Sequence, residues 1–334
     1  TRGWGPPYSA AGDSAYYESI NRNKESIVLD LATDEGRRSV EILARRADVL
    51  VENFPPGGLD RLGLSLSKMR SENPRLVTAS ITGFGTAGPD RDAPGFDLLA
   101  QAGAGLMAIT GEPGGPPQKV GVAVSDLAAG NNAAIGILAA LARRGKTGEG
   151  AAISIDLFSS TLAMLVNVVQ SCLVSGREAG RHGSGHAQIV PYQMFRASDG
   201  DFIVAAGTER QFRSLCEWVV GQPNWADDPR FATNAARVGN RSELVDGLAA
   251  IFASRPRDEW LARCRDAGVP AGPVRGPLEA LESEQAKALG LTRRDGDFET
   301  VASTIRLADT PSPFRRPPRL GEHTEAIRRE FDLP

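Results

Sequence analysis

Apolar positions along the chain fall into short continuous runs separated by stripes at helical spacing. Ile27 to Leu31 reads as a strand, Thr33 as the cap of an amphipathic helix reaching Arg46, and Val49 to Val51 as the next strand. That β, α, β order predicts two parallel strands. Leu76 to Ile81 predicts another strand, closing in the loop Thr82-Gly83-Phe84-Gly85. Ile153 to Leu157 predicts a further one, after a helix that ends at Arg143, Arg144 and Gly145. The pattern is α/β: a doubly wound, mainly parallel, Rossmann-like sheet in a large domain over residues 1–180. An apolar helix from Leu157 to Leu173 then gives way to the Gly-rich connector SGREAGRHGSGH. A smaller α+β domain over residues 188–275 follows. It has a strand at Phe202 to Ala206, a helix opened by a Thr208–Gln211 capping box, and helices near Glu243 to Ala253 and Arg257 to Ala267. Residues 290–334, Pro-rich and then helical, return to the large domain.

Parallel sheets take ligands beyond the carboxyl ends of their strands, which puts Glu52, Asn53, Phe54 and the loop Gly83 to Gly85 at the crevice. Asp126 stands immediately before a long helical stretch, where free backbone N–H groups and the helix dipole favour an ionised carboxylate. It reads either as an N-cap or as a carboxylate nucleophile that attacks an activated acyl group, with helix N–H groups or neighbouring glycines holding the oxyanion. Asn53, Phe54 and Arg61 supply an amide, an aromatic face and a guanidinium suited to a nucleotide with phosphates; a capped turn accounts for them equally well. Arg22 and Lys24 read as phosphate ligands or as a solvated pair. Gly111, Gly114, Gly115 and Gly121 form a loop able to cover a site. There is no Walker or dinucleotide fingerprint and no GxSxG elbow. His182, His186 and His323 lack metal-ligand spacing, so no metal and no resident cofactor is expected.

Composition narrows the classes. The 334 residues are 41% hydrophobic and 24% charged with a net charge of −3, an ordinary globular balance giving no reason to expect nucleic acid or an anionic membrane as partner. Cys172, Cys216 and Cys264 form no disulfide framework, which fits a reducing cytoplasm. No uninterrupted run of about 18 apolar residues marks a membrane span. The chain begins at Thr1 in TRGWGPP, which reads like the interior of a loop, so a preceding segment is expected.

The runs NRNKESIVLDL, ADVLVENFPPGGLDRLGL, NPRLVTASITGFGTAGP, PGFDLLAQAGAGLMAITGEPGGPPQKVGVAVSDLAAG, GILAALARRGKTGEG, IVPYQMF and LGEHT, in this order, resemble the class III coenzyme A transferases of the formyl-CoA transferase and alpha-methylacyl-CoA racemase superfamily. The resemblance implies a two-domain subunit in an interlocked homodimer, with acyl-CoA and carboxylate as substrates. It places Asp126 on the acyl-accepting aspartate and Leu29, Asn53, Phe54, Arg61 and Leu62 on coenzyme A contacts. Ala32 departs from a lysine found in many relatives, a loss for which Arg22 or Lys24 is expected to compensate. Asp97 falls on an acidic residue that orients the site. Phe96 stands where a racemase carries its second base, a histidine, and phenylalanine transfers no proton; transfer is therefore favoured over epimerisation. The family's usual opening strand and helix are absent from this sequence, which implies either omitted ends or a truncated relative. GSGHAQIVPYQMFRASDGDFIVAAGTERQF resembles relatives that pass coenzyme A from succinyl-CoA to dicarboxylic acids, with Arg196, Arg210 or His186 as candidates for the distal carboxylate. A coenzyme-A-binding relative without turnover is the third reading.

Overall fold

The computed structural model describes residues 1–310 and 313–334, which divide into two units. Unit 1 comprises Thr1–Ala104, Gly121–Val166 and Pro277–Pro334; unit 2 comprises Gly105–Val120 and Asn167–Gly276.

Unit 1 is built on a three-stranded parallel sheet, β1 (Val49–Glu52), β2 (Val77–Thr82) and β3 (Ala152–Asp156), in that order. Val49 lies opposite Val77, and Thr82 opposite Asp156. Helix α1 (Asp34–Arg46) starts as its sequence demands: the Thr33 hydroxyl accepts from the Gly36 N–H at 3.0 Å, acidic residues occupy the first turn and arginines the last. Gly36 has no substitute, since a Cβ there would sit 1.9 Å from the Asp30 carbonyl oxygen. Helices α2 (Asp97–Gly103), α3 (Val124–Thr147) and α4 (Leu157–Met164) pack together, and α3 lies along β2 and β3. Small residues on α3, Ala129, Ala133, Gly136 and Ala140, let its backbone approach the sheet, with Gly136 close under Ile153. Gly148, at φ 77°, ends α3 in the left-handed conformation that glycine adopts without strain. This helix is long and apolar enough to cross a membrane, yet here it covers a sheet; Leu127, Ile135 and Leu138 on its outer side are exposed.

The helix expected without a break over Leu157 to Leu173 is interrupted. Helix α4 ends at Met164, and α5 (Val166–Ser175) starts at a valine with φ 37°, a conformation that a β-branched side chain resists.

Unit 2 carries an antiparallel sheet of β4 (Tyr192–Arg196), β5 (Asp201–Ala205) and β6 (Ala271–Pro273), with β5 central. Helix α6 (Glu209–Ser214) opens with both halves of the expected capping box: the Gln211 N–H donates to the Thr208 hydroxyl, and the Thr208 N–H to the Gln211 side chain. Helices α7 (Arg241–Phe252) and α8 (Arg257–Asp266) complete a single core, in which Phe252 meets Phe195, Phe202 and Trp260 edge-on or tilted at 4.9 to 5.1 Å. Within unit 2 the Gly-rich segment is pinned: Arg181 donates to the carbonyls of Ala108 and Gly115, and the Gly183 N–H to that of Gly111.

The chain returns to unit 1 at Pro277 and ends in helix α9 (Thr324–Phe331), whose start corrects one strand assignment. Ile27 to Asp30 forms no strand, and Leu31 lies in a turn. The Ser26 N–H donates to His323 Nδ1 and the Val28 N–H to the Thr324 hydroxyl, while the His323 N–H donates to the Ser26 carbonyl. The tail thus takes backbone groups that a strand ladder would need.

Candidate active site

The carboxyl ends of the three parallel strands frame the site. After β1 come Asn53 and Phe54; β2 ends at Thr82 and Gly83; β3 leads into Leu157. Gly83 and Gly95 touch backbone to backbone, where a Cβ on Gly83 would lie 2.4 Å from the Gly95 Cα. That contact, open only to glycine, sets Phe96 and Asp97 beside the end of β2.

Asp97 is the first residue of α2, but its carboxylate serves α3. Oδ1 accepts from the backbone N–H of Ser125 at 2.8 Å and of Asp126 at 3.4 Å, and Oδ2 from the Gln101 side-chain amide at 2.6 Å. The N-cap position of α3 is Ala123, which has no side chain to bond, so Asp97 caps the helix from outside. Asp126 is the third residue of α3. It neither precedes the helix nor caps it, correcting that sequence reading. The remaining first-turn amides are also spoken for: Val124 donates to the Val122 carbonyl and Leu127 to that of Ala123. The amides of the first turn are therefore not free to hold an oxyanion; of the glycines lining the cleft, Gly83 and Gly95 lie outside α3 and Gly130 within it. Behind the first turn the buried Ser125 hydroxyl bonds the Thr161 hydroxyl of α4 at 2.7 Å.

Asp126 lines a cleft of about 730 Å³ together with Trp4, Tyr16, Ile20, Asn53, Phe54, Asp92, Phe96 and Asp97. Its own carboxylate is exposed and accepts no hydrogen bond among the described residues. Partial desolvation in the cleft wall, and secondly the Asp97 charge, push its carboxyl above the ordinary aspartate value. The helix terminus was expected to hold it down; burial and a like charge outweigh that. Trp4 and Tyr16, in edge contact at 5.4 Å, give the cleft an aromatic wall. Phe96 is 63% exposed, held outward into this space by the turn before α2.

Of the other residues singled out in the sequence, Asn53, Phe54, Phe96 and Asp97 come to the cleft with Asp126. The rest lie elsewhere. Arg61 folds back to donate to the Pro56 carbonyl, and Leu62 packs on the small core beneath α1. Leu29 is half-buried in the segment before α1. Arg22 donates to the Val301 carbonyl, and Lys24 to Ile20 and Asn21 beside it. Sequence reasoning passed over Gln101, Ser125 and Thr161. Gln101 had a signal: it is the lone amide in an otherwise apolar run, four residues after Asp97.

The model of CoA-transferase family III matches residues 1–324. A succinate–glutarate CoA-transferase of Agrobacterium fabrum is 40% identical over 99% of this chain and 86% of its own length. An acetyl-CoA:oxalate CoA-transferase of Acetobacter aceti is 38% identical over 100% of this chain and 86% of its own. Among solved structures, a CAIB/BAIF family protein from Brucella suis superposes with a TM-score of 0.88 at 40% identity, over 99% of this chain and 89% of that one.

Proposed function

Since the chain belongs to CoA-transferase family III, we propose that it moves coenzyme A from succinyl-CoA to a dicarboxylic acid through covalent intermediates on Asp126. One observation carries the assignment. Asp126 has a carboxylate without a hydrogen bond among the described residues in a ligand-sized cleft, while a second aspartate performs the capping that its helix requires.

In this reading an Asp126 oxygen attacks the donor's acyl carbon and breaks its C–S bond, giving a mixed anhydride and coenzyme A thiolate. The thiolate attacks the aspartyl carbon, releases the donor acid and leaves an aspartyl-CoA thioester. The acceptor carboxylate then attacks that carbon and expels the thiolate, which returns to the acceptor's acyl carbon and frees Asp126. No proton transfer is needed in the sequence, which suits a cleft where Phe96 stands in place of a second base. The raised basicity of Asp126 favours its attack. Asn53 and Phe54 offer an amide and a ring face to the coenzyme. The Rossmann-like winding and the interlocked homodimer belong to the same proposal. Support for the dimer comes from the exposed outer face of α3, an apolar stripe that calls for a partner.

Incubation with succinyl-CoA and a panel of carboxylic acids, read by mass spectrometry of new CoA thioesters, tests the reading. We expect a dicarboxylyl-CoA product and a loss of about 10³-fold or more in Asp126→Asn with the fold intact. Transfer at the normal rate by that variant would overturn the nucleophile.

A further inference from the structure

Two side chains outside the cleft lining converge on the start of α3. Gln101 reaches from α2 and donates to the Asp97 carboxylate at 2.6 Å, with the Val122 carbonyl 3.4 Å away. Thr161 reaches from α4 to the Ser125 hydroxyl at 2.7 Å and is anchored on the Leu157 carbonyl at 2.7 Å. Gln101, Ser125 and Thr161 are each 0% exposed. Polar groups so buried cost free energy unless bonded, so these bonds have little freedom to rearrange.

We infer that Gln101 and Thr161 are positioning residues for Asp126: one holds the Asp97 carboxylate over the amides of Ser125 and Asp126, the other grips Ser125 from behind, and together they fix the first turn of α3. The inference rests on Asp126 as nucleophile. Neither residue lines the cleft, so neither touches substrate. Their effect is on where the Asp126 oxygen stands. A displacement of about 1 Å in a reacting group costs on the order of 10²-fold in rate, and binding need not suffer. Gln101→Leu removes the donor that fixes Asp97 Oδ2, and the carboxylate becomes free to turn off the helix terminus. Thr161→Val keeps the volume and deletes the hydroxyl.

The test has two arms. In steady-state transfer assays, Gln101→Leu should lower kcat about 10- to 100-fold and Thr161→Val by less, with KM for acyl-CoA within about twofold. Thr161→Ser, which keeps the hydroxyl, should recover most of the loss. In the second arm, ¹³C-carboxyl NMR follows the titration of Asp126, assigned by its absence in Asp126→Asn. The other titratable side chains lining the cleft are Tyr16, Asp92 and Asp97, and of these Asp97 is the one bonded to Gln101. Gln101→Leu should therefore move the Asp126 titration toward the ordinary aspartate value. Wild-type kcat and an unmoved titration in both variants would overturn the inference, as would lower stability with full kcat per folded molecule. Should the wild-type protein transfer no coenzyme A, the functional reading fails on the first arm, and the titration still decides the positioning.

Discussion

Unit 2 gathers large side chains into one continuous core: Phe202, Phe212, Leu215, Leu244, Leu248, Phe252 and Trp260 are at most 1% exposed, though Leu173, Val174 and Trp218 stay on its surface. Unit 1 is built otherwise. Its buried clusters are small, one from Ala44, Leu64, Met69 and Leu76 and another from Ala100, Ala129 and Leu157, while Ile135 and Leu138 are each 66% exposed. Burial of large apolar side chains is the main source of folding free energy, so unit 2 is equipped to stand by itself. Unit 1 leaves apolar residues on a cleft wall and on the outer face of α3. The candidate site sits in the unit with the smaller buried clusters.

Trp260→Ala attacks the stronger side of that contrast and should have the largest effect. It empties the centre of the unit 2 core and removes the indole donor from the Phe252 carbonyl, at a cost of about 3–5 kcal/mol. Urea denaturation measures it, and a cost under about 1 kcal/mol would mean that the core is less tightly packed than its burial indicates. Ile135→Glu combined with Leu138→Glu probes the open face of α3. Stability of the isolated subunit should change by less than about 1 kcal/mol, while association seen by sedimentation is lost. A dimer that survives both charges would move the interface elsewhere.

The smallest effect sharpens the picture of unit 2. Arg237, 1% exposed, donates to the Val190 and Phe231 carbonyls and pairs with Glu209. Burial by itself would raise the Glu209 carboxyl, but the bonds from Arg237 and the Asn234 N–H, with the Arg237 charge, hold it below the usual glutamate value. Its stabilisation is complete above the ordinary glutamate value and is lost as pH falls through the lowered one. Glu209 is largely solvent-accessible, so Glu209→Gln should cost only about 1 kcal/mol at neutral pH and flatten this part of the acid-induced loss. Melting at a series of pH values checks both.

Elements governed by their own residues were legible in the sequence. Thr33 caps α1, Thr208 and Gln211 form their box, and the strands at Val77–Thr82 and Ala152–Asp156 fall within a residue of expectation. Misreadings arose where a distant segment supplies the partner. The run Ile27 to Leu31 has strand composition, but residues almost 300 positions later occupy its neighbouring backbone groups. Asp126 looks like a cap because no local pattern announces that Asp97, 28 residues earlier, already caps Ser125. The break at Val166 has no signal in an apolar run, since valine is a poor choice for a positive φ. Asn53, Phe54, Phe96, Asp97 and Asp126 converge because strand ends converge, and that much follows from the β, α, β rhythm.

The cap donated by α2 has a thermal consequence. A helix of seven residues holds together only through its packing, so the cap on α3 lasts only as long as α2 stays seated on its neighbours. When it lifts, the cap leaves with it and the first turn of α3 frays, although the parallel sheet is still intact. Heat inactivation should thus run ahead of melting: the protein loses its working shape before it loses its fold.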